Sequence, residues 1–380
     1  MNRRIGKLGV TLLLCIGLTG CWDEVTIQDL YYFTAMGFTY DKQAKEYELY
    51  GQIIDVAAVA KKEEGSGSQS DSVFGHEKGE SPSIALERLF KSMQMNPILD
   101  HIMTVLLDES SIANLDELLD GINRNSAIRY TVNVLGSESP IGDMFQTTGH
   151  ISLSPLNTNI YQPNSNKRGL PFTTNNDMRD LVRAYKSCPC TVYIPKMKLD
   201  ESHWVANEGK RLKLPHFDGA FVLNNGQYIG KFSEDQLAGA RWFMGSTHGQ
   251  VIPLKKQDRI AAVLQVKKSS NDYRFVKSPT SVMKLKLRVQ AYINEYGKEA
   301  ADQEIEKLAA EEIADQIKST LRLARNKRID LFNFEGHLFR YHHGRWKKMK
   351  SEKAAFAELP VDLDVKVHLI HSGKMKKMKS

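Results

Sequence analysis

Cysteine is scarce in this chain, with four in 380 residues, which excludes a small scaffold stapled by disulfides. Long apolar runs are also missing. The one candidate, Leu8 to Leu18, is shorter than the ~20 residues that span a bilayer. No later segment approaches that length. Catalytic signatures are absent as well. There is no Gly-X-Ser-X-Gly for a serine hydrolase and no His-Glu-X-X-His for zinc. Gly226 to Lys231 has one residue too few between its glycines for a phosphate loop, and no Ser or Thr follows the lysine. Cys188-Pro189-Cys190 lacks the Cys-X-X-Cys spacing of redox and zinc sites, so incidental thiols or a local bridge are expected. The adjacent His342 and His343 have no companions at ligand spacing. No enzyme activity, cofactor or metal is expected.

What is present begins at the N-terminus. Arg3, Arg4 and Lys7 precede the apolar run, and Leu18-Thr19-Gly20 leads into Cys21. A charged front, an apolar middle and small residues before a cleavage point make an export signal. Cysteine in the next position supplies the thiolate that takes a lipid. The pattern resembles the lipobox of bacterial lipoproteins, which implies cleavage after Gly20 and a diacylglyceryl group on Cys21. Two acyl chains, at ~0.8 kcal/mol per buried methylene, hold a protein stably on a membrane. The partner at this end is therefore a lipid bilayer, and the expected location is the outer face of the cell membrane. Losing Arg3, Arg4 and Lys7 with the signal takes the formal charge from +7 to +4. That is too little to argue for nucleic acid as a partner.

The expected fold is α+β and multidomain, with mixed sheets, packed helices and three domains of α/β type. After the signal, 1–20, an N-terminal α/β domain is expected over 21–194. It opens on a hairpin, with strands at 27–40 and 47–56 about a polar turn. A mobile loop is expected at about 61–80, where Gly, Ser and charged residues dominate. Ser81-Pro82 then reads as a capped helix start. A small strand-rich middle domain is expected over 195–262, marked by Asn224-Asn225-Gly226 between apolar runs. The last domain, 263–380, combines a strand near 284–292, a long helix at about 301–326 and a strand at 363–369. Along that helix Ile305, Ala309, Ile313, Ile317, Leu321 and Ala324 keep helical spacing. Acidic residues open it and basic residues close it, matching the helix dipole.

Several segments together resemble a specific family. Gly20-Cys21-Trp22-Asp23, followed by a strand that ends on Gly37-Phe38-Thr39-Tyr40-Asp41, is similar to the start of Ger(x)C-type lipoproteins. These are the C subunits of nutrient germinant receptors in endospore-forming bacteria. His101 to Glu109, Gly219-Ala220-Phe221-Val222 with Gly226 to Gly230 and then Glu234, Asp330 to Gly336 with Trp346, and Val361 to Gly373 follow in the family's order. Glu335 departs from the pattern, since the family usually runs directly from phenylalanine to glycine. The resemblance implies a non-enzymatic subunit. It would assemble with the membrane-embedded A subunit and the transporter-like B subunit in the spore inner membrane and be needed for germination in response to nutrients.

The alternative is a solute-binding lipoprotein of an importer. Two features weigh against it. A strand starts within a few residues of Cys21, where such proteins carry a flexible linker. Residues 195–295 also read as largely β, where a second Rossmann-like lobe is required.

Overall fold

The computed structural model describes residues 30–54, 72–147, 155–163, 177–206, 209–245, 247–277, 281–297 and 301–370. Cys21, the signal before it, the glycine- and serine-rich half of the expected loop and the basic stretch 374–379 lie outside the described residues.

The first hairpin forms as expected. Strand β1 (Leu30–Asp41) pairs antiparallel with β2 (Glu46–Ile54), and Phe33, Phe38, Tyr47 and Leu49 point into the core. The stretch expected as a loop holds β3 (Ser72–Gly79) in its second half, paired antiparallel with β2. The polar composition misled because most of this strand lies exposed at the sheet edge. Backbone pairing and the contact of Phe74 with Tyr50 and Phe145 hold it there. Helix α1 (Pro82–Lys91) starts where expected, with the Ser81 hydroxyl accepting from the Ile84 N–H. It buries Ala85, Leu86 and Leu89.

Short β4 (Asn96–Ile98) runs parallel to the start of β1. Strand β5 (Thr104–Asp108) runs parallel beside β1. The apolar stripe after it divides into α2 (Glu109–Ile112) and α3 (Leu115–Asn123), and the Asp108 carboxylate caps α2. Strand β6 (Asn133–Ser137) joins β5 in parallel. Then come α4 (Ile141–Phe145), α5 (Met178–Ser187) and β7 (Thr191–Asp200), the last again parallel to β6. Strands β8 (Leu214–Asn224) and β9 (Gln227–Phe232) complete a nine-stranded sheet in the order β3-β2-β1-β5-β6-β7-β8-β9, with β4 against β1. The turn between β8 and β9 is the expected one, with Asn225 and Gly226 both at positive φ.

The boundary expected at 194/195 falls inside β7, so β8 and β9 extend the first sheet. Pro195 gives the physical reason. A proline inside a strand is tolerated at a bulge, and the register of β7 with β8 shifts between Pro195 and Met197. The local texture changes there while the sheet continues.

Helix α6 (Glu234–Arg241), opened by a capping box at Ser233, leads to a second sheet in the order β10-β11-β12-β13. Its strands are β10 (Val251–Lys256), β11 (Arg259–Val276), β12 (Val282–Tyr296) and β13 (Val361–Leu369). Between β12 and β13, which run parallel, lies helix α7 (Asp302–Lys327). It buries Ile305, Ile313 and Ile317 completely, and each such side chain is worth about 1.5–3 kcal/mol. Helices α8 (Phe334–Tyr341) and α9 (His343–Ser351) follow before β13. One core joins α7 and this sheet to Ala220, Val222 and Phe232 of the first sheet. The fold is mixed α+β, as expected.

Candidate functional site

A set of buried and part-buried polar contacts lies where the first sheet meets α8 and α9, on the segment Asp330 to Gly336. Two phenylalanines and a leucine, Leu331, Phe332 and Phe334, drive this segment into the core, and all three are buried. Asn333 turns the chain through a left-handed conformation at φ 57°, which asparagine tolerates better than most residues. That turn aims the segment's polar groups back at β7. The Thr191 N–H donates to Asn333 Oδ1 at 3.0 Å, and the Thr191 hydroxyl donates to the Asp330 carbonyl. The Tyr193 hydroxyl reaches the Leu331 carbonyl, and the Tyr273 hydroxyl donates to the Phe332 carbonyl at 3.0 Å.

Two carboxylates sit inside this join. Asp330 Oδ2 accepts from the Glu335 N–H at 2.7 Å, and Oδ1 finds no hydrogen-bond partner among the described residues. Burial pushes its pKa up to about 6, with backbone N–H groups, led by that of Glu335, pulling the other way. Glu335 is 3% exposed, and its carboxylate is fully engaged. Oε1 accepts from Trp346 Nε1 at 3.1 Å and from Lys350 Nζ at 3.0 Å. Oε2 accepts from Asn225 Nδ2 at 2.9 Å. The departure from the family pattern at this position is therefore a structural tie between the β8–β9 turn and α9. An acidic residue directly after Phe334, inside a largely apolar run from Leu331, was the sequence signal that could have found it.

Glycine at 336 follows from the same packing. A Cβ there would stand 2.3 Å from Asn333 Oδ1 and 2.8 Å from Cys190 Sγ. Cys188 and Cys190 form a disulfide, with Cα atoms 5.2 Å apart, and this is the local bridge among the alternatives open from the sequence. Arg340 Nη2 lies 3.5 Å and 3.4 Å from the two sulfurs. His342 packs against Phe275, and His343 packs against Phe339 and Trp346. A half-open cleft of about 430 Å³ runs along the join, with Tyr193, Phe243, Tyr273, His337 and Arg340 among its walls.

A second polar cluster lies on the first sheet. Lys196 is 4% exposed, and its ammonium meets Glu138 at 2.6 Å and Asp218 at 3.4 Å. Lys231 reaches Glu138 at 2.8 Å, and Lys198 reaches Asp218 at 2.8 Å. Burial raises both carboxyl groups, but hydrogen bonds from these lysines outweigh it and hold both below their ordinary values. Each carboxylate is thus neutralised by two cations, which suits a structural network and leaves no free general base.

Neither cluster sets a nucleophile beside a base. Among the described residues no three His, Cys, Asp or Glu side chains gather as metal ligands, and no helix is long and apolar enough to cross a membrane. What the junction does is join the two sheets through buried hydrogen bonds, with the Glu335 carboxylate engaged at both oxygens.

Two family models match the chain in tandem. Residues 23–199 match the spore germination protein N-terminal domain, and residues 218–373 match the spore germination B3/GerAC-like C-terminal domain. The gap between them falls at the β7–β8 connection, within the first sheet. Spore germination protein KC of Bacillus subtilis (strain 168) is 23% identical over 389 residues, covering 95% of this chain and 94% of that protein. Spore germination protein B3 of the same organism is 22% identical over 391 residues, covering 98% and 99%. Among solved structures, the crystal structure of the GerBC protein shares the fold. Its TM-score is 0.53 at 17% identity, covering 89% of this chain and 98% of that one.

Proposed function

This chain belongs to the Ger(x)C family of spore germination proteins, and from that premise we propose that it is the lipid-anchored C subunit of a nutrient germinant receptor. The observation that carries the proposal is the tandem match, which extends over most of the chain and agrees with relatives named as spore germination proteins along nearly their whole lengths. The apolar run ending at Gly20-Cys21 supports cleavage after Gly20 and a diacylglyceryl group on Cys21. The lipid then holds the protein on the outer face of the spore inner membrane, beside the A and B membrane subunits.

Its work in this proposal is assembly, with no catalytic step of its own. Tethering confines the folded part to a thin layer at the bilayer, which raises its effective concentration toward membrane partners. The saturated junction around Glu335 supports that role, because a subunit that links others must keep its own parts in fixed relation. The test is a strain whose spores carry Cys21→Ala. Loss of the protein from the inner membrane together with a slowed response to nutrients is expected. Full retention on the membrane with a full response would overturn the anchoring role.

A further inference from the structure

We propose that one edge of the fold is a membrane-contact face that lies on anionic phospholipid, and this rests on the proposed lipid at Cys21. Strands β1, β5, β6 and β7 run parallel to one another, so their N-terminal ends share one edge of the sheet. Eight residues lie between Cys21 and Leu30, the first residue of β1, and the nine steps from one to the other reach at most about 30 Å when fully extended. A lipid on Cys21 therefore tethers the chain through this edge of the sheet.

The side chains on that edge suit such a surface. The pairing of Asn96 with Leu30 brings Met95 there, and it is 39% exposed. Arg129 and Tyr130, both exposed, lie in the turn that leads into β6, and Tyr130 is 50% open to solvent. The C-terminal part of the chain joins the same edge through the junction. Thr191 pairs with Asn224, so the β8–β9 turn returns to the start of β7. There Asn225 holds Glu335, and Glu335 in turn holds Trp346 and Lys350 of α9. Helix α9 thus lies at this edge and exposes Lys347 and Lys348, with Arg340 and the 69% exposed Tyr341 just before it. Lys348 pairs with Glu352 at 3.7 Å, and Asp100, before β5, is an exposed acidic residue on the same edge. Tyrosine is enriched where protein meets headgroups, and clustered Lys and Arg are drawn to anionic leaflets. At the other edge, the β7–β8 connection carries the exposed Trp204, and it faces away from the anchor.

The test uses the full-length lipidated protein in vesicles of phosphatidylglycerol and phosphatidylcholine. Tyr130→Cys, Tyr341→Cys and Trp204→Cys are each labelled with one fluorophore, since Cys21 is blocked by lipid and Cys188 is bonded to Cys190. Nitroxide-bearing phospholipid then quenches labels near the headgroups. Quenching several-fold stronger at 130 and 341 than at 204 is expected. Adding Lys347→Glu and Lys348→Glu should weaken quenching at 341 while the protein still floats with the vesicles. Protein that floats but shows equal quenching at all three sites, or the strongest at 204, overturns the face, as does floating protein with no quenching, which would assign this edge to a protein partner. Protein that fails to float overturns the lipid anchor itself and takes this face with it.

Discussion

Asn225, at the turn between β8 and β9, donates through Nδ2 to Oε2 of Glu335 at 2.9 Å, and so one hydrogen bond ties the first sheet to the helices of the second. Trp346 and Lys350 fill the other carboxylate oxygen. Replacing Glu335 with alanine takes a buried acceptor away from three donors, of which Asn225 and Lys350 are themselves exposed. Because Lys350 is half exposed, its share is discounted, and the expected loss is about 2 kcal/mol in all. Glu335→Gln should lose clearly less, since it keeps an acceptor in place. Urea denaturation midpoints of the two variants check this ordering.

Two glycines should resist even a methyl group. Gly219 sits at φ 87°, and a Cβ there would stand 2.0 Å from the backbone carbonyl of Phe232. Backbone cannot swing away, so Gly219→Ala is expected to cost about 3 kcal/mol. At Gly336 the nearest obstacle is the Asn333 side chain, which can move only by giving up its bond to the Thr191 N–H. A loss of about 1–2 kcal/mol is expected for Gly336→Ala. Thermal unfolding of both variants should rank Gly219→Ala as the more damaging.

Local elements were legible wherever sequence spacing alone decides them. The long helix at 302–327, the Ser81 cap, the Asn225-Gly226 turn and the alternating strand of Leu363 to Leu369 all follow from spacing and turn chemistry. Strand β11 gave no such signal. Its middle, Lys267 to Asp272, is largely polar and open to solvent, so long-range pairing with β12 holds it in place. Strand β3 was hidden for the same reason. The junction was half visible: the phenylalanines of residues 332 and 334 marked a buried segment, but nothing in the sequence told that Glu335 points to Asn225, 110 residues away.

Asp330 should leave a signature in pH. Its folded pKa, raised by burial to about 6, lies above the ordinary carboxyl value of ~4 in the unfolded chain. Its favourable contribution is therefore complete below pH ~4 and is lost as pH rises through about 6. Relative to Asp330→Asn, the native protein should gain melting temperature as pH falls from 7 to 5. A difference between the two that stays flat across that window would contradict a buried carboxyl whose backbone hydrogen bonds only partly offset its burial.

Lys196 predicts the opposite slope. Glu138 and Asp218 are held below their ordinary values by the lysines around them, against the effect of burial. Their contribution is present above the unfolded carboxyl value and is lost as pH falls through the lowered one. Lys196→Met should cost about 1–2 kcal/mol near neutrality, because Lys231 and Lys198 remain to hold the two carboxylates. The cost should shrink below pH ~4. Melting temperatures of the variant and the native protein at pH 7 and pH 3.5 give both numbers.

Membership of a tethered receptor is the claim on which the rest depends, and affinity purification of the tagged, full-length chain from detergent-solubilised spore inner membrane tests it most directly. Two integral membrane proteins should come with it in fixed proportion, one of them with the many spans of a transporter. The native chain recovered alone, or found only in the soluble fraction of the spore, would contradict it.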